Sequence, residues 1–208
     1  MLKEKSKKDF YTKKARQEGY PARSVYKLRE IDEKHHLIKE GDRVLDLGCA
    51  PGSWLSYISE KIGQKGRVFG IDIADIKIPL QNNMAFLKKD IFELTDSDFM
   101  KFNVKYNVIV SDLAPKTSGI RFVDVEKSLE LCEKSFEIAQ KILMTGGNFL
   151  CKIFEGESTK EFFNKIKRNF KFAKRFKPKA SRKESKEIFI VGRYFQGSSN
   201  QEIRNGKI

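Results

Sequence analysis

The sequence predicts an α/β domain with a mostly parallel central sheet, helices on both faces and an antiparallel hairpin at the C-terminal end. Three observations predict it. Short apolar runs alternate with segments of helical periodicity, the pattern of strands joined by crossover helices. The first run passes through a glycine turn straight into a helix-like segment. The last two strand-like runs, KFAKRFKP and EIFIVGRYF, are separated by only a short polar turn, SRKESK.

The stretch RVLDLGCAPG, from Arg43 to Gly52, organises the chain. Val44, Leu45 and Leu47 read as a strand buried on both faces. Gly48, Pro51 and Gly52 make the turn, and SWLSYISEKIG makes the helix. Glycines there remove Cβ atoms where a ligand must touch backbone. The spacing is GxxxG with a proline inside, unlike the GxGxxG of dinucleotide enzymes. The next strand, RVFGIDI, ends in Asp72, where an acidic residue meets a ribose. Together they point to an adenosine-containing cofactor; the plainer reading is an ordinary βα turn.

Upstream, residues 1–23 are basic and polar with interspersed Phe10, Tyr11 and Tyr20, and read as an arm that orders on RNA. A helix is expected from Ser24, as N-cap, to Leu37, with Val25, Leu28 and Ile31 on its apolar face. Lys27 falls in its first turn, an unfavourable place for a cation against the helix dipole. His35 and His36 read as the end of that helix rather than as metal ligands.

Downstream, MAFLKKDIF is a third strand running into Asp90, a residue suited either to an adenine amino group or to capping the next turn. YNVIVSDLAPKTSG is a fourth strand with Asp112 at its carboxyl end, the edge where open α/β sheets place ligands. A helix is expected from Asp124 to Met144, stopped by Gly146 and Gly147. NFLCKIFEG is a fifth strand with Lys152 among apolar neighbours, which requires an edge position, a snorkelling side chain or a partner. STKEFFNKIKRNF is an amphipathic helix, and the final strand starts at Glu187. The tail from residue 196 is polar and expected to be disordered.

Composition narrows the function classes. The 208 residues suffice for one domain with a sizeable core. No apolar run reaches membrane-spanning length, and the N-terminus lacks the apolar core of a secretory signal. Cys49, Cys132 and Cys151 lie far apart in apolar segments, with no zinc spacing, and read as reduced core residues of a cytoplasmic protein. The net charge of +14 is segregated. Residues 1–23 hold eight Lys/Arg against three Asp/Glu, and residues 160–186 hold twelve against two. A polyanionic partner follows, because each neutralised phosphate releases counterions.

Lys27, Asp112, Lys152 and Glu187 each stand at a helix start or strand end that a doubly wound sheet can bring to one crevice. On KARQEGYPARSVYKL, DLGCAPGSW, SDLAP with its following SG, CKIFEG and SRKESKEIFIV, the chain resembles the FtsJ (RrmJ, RlmE) family of S-adenosylmethionine-dependent ribosomal RNA 2′-O-methyltransferases, from about Phe10 to Arg193. The resemblance implies a Rossmann-like methyltransferase fold, with a basic arm (1–23), a single methyltransferase domain (24–195) and a tail (196–208). It implies a Lys-Asp-Lys-Glu catalytic tetrad on Lys27, Asp112, Lys152 and Glu187. Cofactor contacts fall on Gly48, Gly52, Trp54, Asp72, Asp90 and Asp112, with no metal. Ser53 stands where family members commonly have a second glycine. In such chemistry Lys152 acts as base, tuned by Lys27, while Asp112 orients Lys152 and Glu187 holds one of the lysines; which lysine is the base stays open. The expected partner is ribosomal RNA of the large subunit, and the default state is a monomer. Transfer RNA as substrate, and an RNA-binding ribosome-assembly factor without catalysis, are the alternatives.

Overall fold

A computed structural model of the chain describes residues 2–95, 97–98, 105–182 and 184–197, with side chains described from Phe10 onward. The expected tail therefore lies, from residue 198, outside the described residues. In chain order the elements are α1 (Leu2–Gln17), α2 (Val25–His35), β1 (Arg43–Leu47), α3 (Ser53–Ile62), β2 (Arg67–Asp72), β3 (Met84–Lys88) and a 3-10 turn (Ile91–Glu93). There follow β4 (Tyr106–Ser111), α4 (Arg121–Ile142), β5 (Leu143–Phe154), α5 (Thr159–Asn169), β6 (Phe170–Phe176) and β7 (Glu187–Phe195).

The seven strands form one sheet in the order β3-β2-β1-β4-β5-β7-β6. β1 pairs in parallel with both β2 and β4, so the chain turns opposite ways from this point. That reversal opens a crevice beyond the carboxyl ends of β1 and β4. β6 and β7 pair antiparallel as expected, but the later strand is the inner one. β7 inserts antiparallel beside β5 and leaves β6 at the edge. Lys152 therefore sits on an interior strand, and its burial demands a partner.

Strand alternation divides the core between the two faces. On one face, Val25, Leu28 and Ile31 of α2 and Trp54, Leu55 and Ile58 of α3 pack on Val44, Val110, Leu150 and Phe189. On the other, Cys132, Phe136 and Ala139 of α4 and Phe162 and Ile166 of α5 pack on Leu45, Ile109, Phe149 and Ile190. The three cysteines are buried free thiols. Among the described residues no helix is long and apolar enough to cross a membrane.

Three local expectations are corrected. Residues 1–23, expected to order on RNA, pack against the domain from Phe10 on in the free chain: α1 is helical, Ala15 and Tyr20 are buried, Tyr11 packs on Tyr26, and Tyr20 Oη donates to Glu60 at 2.6 Å. The aromatics of the segment found partners within the domain. Ser24 occupies the N-cap position of α2 with a helical backbone, and its side chain makes no capping bond. Finally, α4 starts at Arg121 and gives way directly to β5 at Leu143, so Gly146 and Gly147 lie inside a strand. A Cβ on Gly147 would come 2.8 Å from the Asn107 carbonyl, beside the register shift between Tyr106 and Val108. Gly147 serves close strand approach and Gly146 a left-handed backbone at φ 84°; neither terminates the helix.

Asp32 locks α2 in place. It is 1% exposed, and its Oδ1 accepts the Leu37 and Ile38 amides at 2.9 Å, closing the chain after His36 in its left-handed conformation. Its Oδ2 accepts Tyr57 Oη of α3 at 2.9 Å. Asp32→Ala leaves these donors buried without an acceptor and is expected to cost on the order of 3 kcal/mol, read as a lower urea midpoint with an unchanged denaturant slope.

Candidate active site

The glycine turn between β1 and α3 is built by backbone, not side chains. Gly48 and Gly52 have φ of 79° and 111°, which side-chain-bearing residues rarely adopt. Space is short too: a Cβ on Gly52 would lie 2.7 Å from the Ile78 side chain, and one on Gly48 2.9 Å from the Leu113 side chain, so a neighbour would have to shift. The Ala50–Pro51 peptide is cis. Asp72, at the end of β2, braces the turn: its Oδ2 accepts the Ala50 amide and its Oδ1 the Ala74 amide, each at 2.8 Å. Beyond the turn, the first amides of α3 have no carbonyl one turn back and face the crevice side of the sheet.

Trp54 and Asp90 are held differently from what a ligand-facing side chain requires. The Trp54 ring is 2% exposed, packs near Phe189 and donates Nε1–H to the Ser24 carbonyl at 2.9 Å. Its backbone amide is what remains for a cofactor. Asp90 caps the 3-10 turn, accepting the Phe92 amide at 3.0 Å on Oδ1, and this leaves Oδ2 toward other donors.

The four ionisable residues form two ion pairs on the α2/α3 face of the sheet. Lys27 Nζ lies 2.6 Å from Glu187 Oε1, joining the first turn of α2 to the start of β7. This carboxylate answers the dipole conflict that Lys27 carries in the sequence. Lys152 Nζ lies 2.9 Å from Asp112 Oδ1 and donates to the Asp112 carbonyl at 2.5 Å. The pairs are neighbours: Lys152 lies opposite Phe189 across β5 and β7, Lys27 Nζ is 6.0 Å from the Phe189 ring, and Lys152 acts electrostatically on Glu187. All four side chains are largely out of water, the most exposed at 17%. Burial works to raise the Glu187 pKa. The charge and hydrogen bond of Lys27, the Ser181 hydroxyl and the Lys152 charge overcome it, so Glu187 sits below the ordinary glutamate value.

Sequence reading missed Asp46. It lies in β1 between Gly70 and Val110, wholly buried, and neither carboxylate oxygen has a partner. Burial, then the charges of Asp112 and Asp72, push its pKa well up. The signal was one acid inside VLDL, a run otherwise buried on both faces. A buried carboxyl left unsatisfied beside a backbone cradle suits a ligand with a cationic group.

An open α/β sheet with this strand order, a glycine cradle at the switch point and paired charges beside it define a methyltransferase of Rossmann-like fold. Solved structures agree. A Plasmodium falciparum protein described as a ribosomal RNA methyltransferase superposes with a TM-score of 0.76 at 28% identity, covering 86% of this chain and all of that one. Fibrillarin of Aeropyrum pernix, with natively bound S-adenosylmethionine, shares the fold at a TM-score of 0.52 and 18% identity, over 75% of this chain and 68% of that one. The chain belongs to the FtsJ-like methyltransferase family, whose model matches residues 20–195. Proteins named ribosomal RNA large subunit methyltransferase E are similar nearly end to end. That of Desulforapulum autotrophicum is 47% identical, covering 88% of this chain and 91% of its own, and that of Desulfatibacillum aliphaticivorans 44%, covering 93% of each.

Glu187→Gln leaves the Lys27 ammonium with no counter-charge and is expected to cost about 1–3 kcal/mol at neutral pH. Glu187 is depressed in the folded state, so its contribution is present above the unfolded value near 4.5 and is lost as pH falls through the folded value. Thermal unfolding of wild type and variant should therefore differ at pH 7 and converge in the acid range below about 4.5.

Proposed function

We propose that this chain transfers a methyl group from S-adenosylmethionine to a ribose 2′-hydroxyl of ribosomal RNA in the large subunit. The observation that carries the reading is the two ion pairs, Lys27–Glu187 and Lys152–Asp112, side by side at the mouth of the glycine cradle. The relatives' names and the segregated positive charge support the substrate.

The residues fit the cofactor. Asp46, buried and unpartnered, suits its amino group, and the first amides of α3, Trp54 included, suit its carboxylate. Asp72 suits the ribose, the second oxygen of Asp90 the adenine amino group, and Gly48 and Gly52 let the backbone come close. When bound, S-adenosylmethionine supplies a methyl already activated by its sulfonium.

The protein's task is alignment and removal of one proton. We assign the proton to Lys152, the more buried of the two ammonium groups, which Asp112 holds through both its carboxylate and its carbonyl. To accept the hydroxyl proton, Lys152 first gives up one of its ammonium protons to solvent. With the cofactor held in the cradle, its methyl would go to the ribose oxygen and the hydroxyl proton would pass to Lys152 Nζ. Lys27, held by Glu187, keeps a positive charge beside the developing alkoxide.

The basic surfaces bring the RNA. β6 is the outer strand, and Lys171, Lys174 and Arg175 on it are exposed, as are Lys167 and Arg168 of α5. Cations on an edge strand also deter pairing with another chain.

Two measurements test the reading. Labelled S-adenosylmethionine is offered with large subunits, free ribosomal RNA and transfer RNA, each undermethylated. Label should enter 2′-O-methyl nucleotides of ribosomal RNA and fall on the order of 10²–10⁴-fold with Lys152→Ala; label entering transfer RNA, or surviving the substitution, overturns the substrate or the base. Second, RNA affinity should fall steeply with salt, and Lys171→Ala with Lys174→Ala should make the log–log slope shallower by about 2. An unchanged slope removes β6 from the interface.

A further inference from the structure

At the end of β7 remote from Glu187, buried polar atoms stand without partners. His35, the last residue of α2, is 5% exposed, and its Nε2 has no hydrogen-bond partner. Arg193 of β7 keeps a buried Nε without one. Strand register brings the two together. Phe172 of β6 lies opposite Arg193 and Lys174 opposite Val191, so all of them share the α2 face of the sheet. The His35 ring rests on that face, 6.1 Å from the Phe172 ring and 5.5 Å from that of Phe176. Tyr194 fixes the guanidinium. Its backbone is left-handed at φ 61°, rare for a residue with a side chain. Phe195 thereby enters the opposite core, while the Tyr194 ring lies 4.8 Å from Arg193 Cζ and its Oη accepts from Arg193 Nη2 at 2.7 Å.

The charges acting most on His35 are of one sign. Burial first, then Lys174, Lys34, Arg193 and His36, hold its pKa below the ordinary histidine value. The acids of α2 lie elsewhere. Glu30 reaches the Lys179 amide at the other end of β6, while Asp32 and Glu33 act on Tyr57 of α3. Glu40, beyond α2, lies beside Gly63 at the end of α3. β6 carries no acid, and the acid of β7 is Glu187 at its far end. The carboxyl end of α2 opposes an anion, but with roughly half a charge against the full charges of Lys34, Lys174 and Arg193. Two unpartnered nitrogens among cations complement the oxygens of an anion.

We propose that His35, Arg193 and Lys174 form a seat for a phosphate of the RNA backbone, an inference that rests on the RNA reading above. Arg193 stands six residues along β7 from Glu187, roughly 20 Å of strand. The phosphate held here therefore belongs to RNA beyond the target nucleotide, on the sheet face that carries both ion pairs. An anion there favours protonated His35, so RNA binding takes up a proton.

The test measures equilibrium binding of protein-free large-subunit RNA across the histidine range, about pH 5.5 to 8. Wild type is compared with Arg193→Gln, Lys174→Gln and His35→Gln. His36→Gln, Lys141→Gln on the opposite face and the Tm of each protein are controls. Near pH 6, Arg193→Gln should weaken binding roughly 5- to 50-fold, and Arg193→Gln and Lys174→Gln should each make the log–log salt slope shallower by about 1. Wild-type affinity should rise as pH falls through this range; the gain should vanish in His35→Gln and survive in His36→Gln. Lys174 is exposed, so its variant decides the salt slope even where a buried substitution lowers Tm. Unchanged Kd and slope in both Arg193→Gln and Lys174→Gln overturn the seat, and leave a water bridging Arg193 to the unpartnered Oδ1 of nearby Asn148. An equal loss in Lys141→Gln overturns it in favour of general charge, and a pH gain that survives in His35→Gln removes His35. If millimolar inorganic phosphate shifts the His35 proton resonance while RNA affinity ignores the variants, the seat takes a free anion and RNA is overturned. If wild type binds RNA but transfers no methyl to it, the methylation reading fails, while the Kd series still decides the seat. If wild type binds no RNA, both fall.

Discussion

Everything at the carboxyl edge depends on keeping two ammonium groups and two carboxylates out of water at once. An isolated buried charge is too costly to survive. Lys152 on an interior strand is tolerable only because β4 ends in Asp112 beside it, and Lys27 in the first turn of α2 only because β7 begins with Glu187. The sheet topology is thus a condition of the electrostatics. β7 between β5 and β6 brings Glu187 to α2; were β6 next to β5, Lys27 would face no carboxylate.

The same face carries a second balance, left open. Asp46 is buried without any partner, next to a turn that Asp72 braces entirely through backbone amides. The paired charges each face an opposite charge within the chain, and Asp46 does not. A protein that neutralises four buried charges internally and leaves one carboxyl waiting has set apart reacting groups and a ligand seat on a single surface. The other face is packed with Phe136, Phe149, Phe162 and Phe170.

What the sequence made legible was local. The glycine turn, Asp72 at the end of β2 and Asp112 at the end of β4 are read from neighbours within a few residues, because turn chemistry and strand ends are short-range. The burial of Lys152 was legible as a demand for a partner, but the partner's identity was not, since which strands adjoin is a non-local matter. For the same reason the choice of Glu187 for Lys27 and Asp112 for Lys152 needed the sheet order. Gly146 and Gly147 misled because glycine after an apolar helix pattern signals a stop, whereas here both lie in β5 and Gly147 lets it approach Asn107. The basic N-terminal segment misled because its tyrosines, suited to bases, are equally suited to Tyr26 and Glu60.

The inner position of β7 bears on how the molecule comes into being. The cradle is made of β1, β2 and the turns between them, all in the first half of the chain, and these strands pair with near neighbours in sequence. Glu187 belongs to the last of the described strands, which must slip between β5 and β6 to complete the sheet. During synthesis the ligand seat can therefore close well before the charged groups are matched, and until residues 187–195 emerge, the interior flank of β5 stays open with Lys27 lacking its carboxylate. Competence therefore waits on β7.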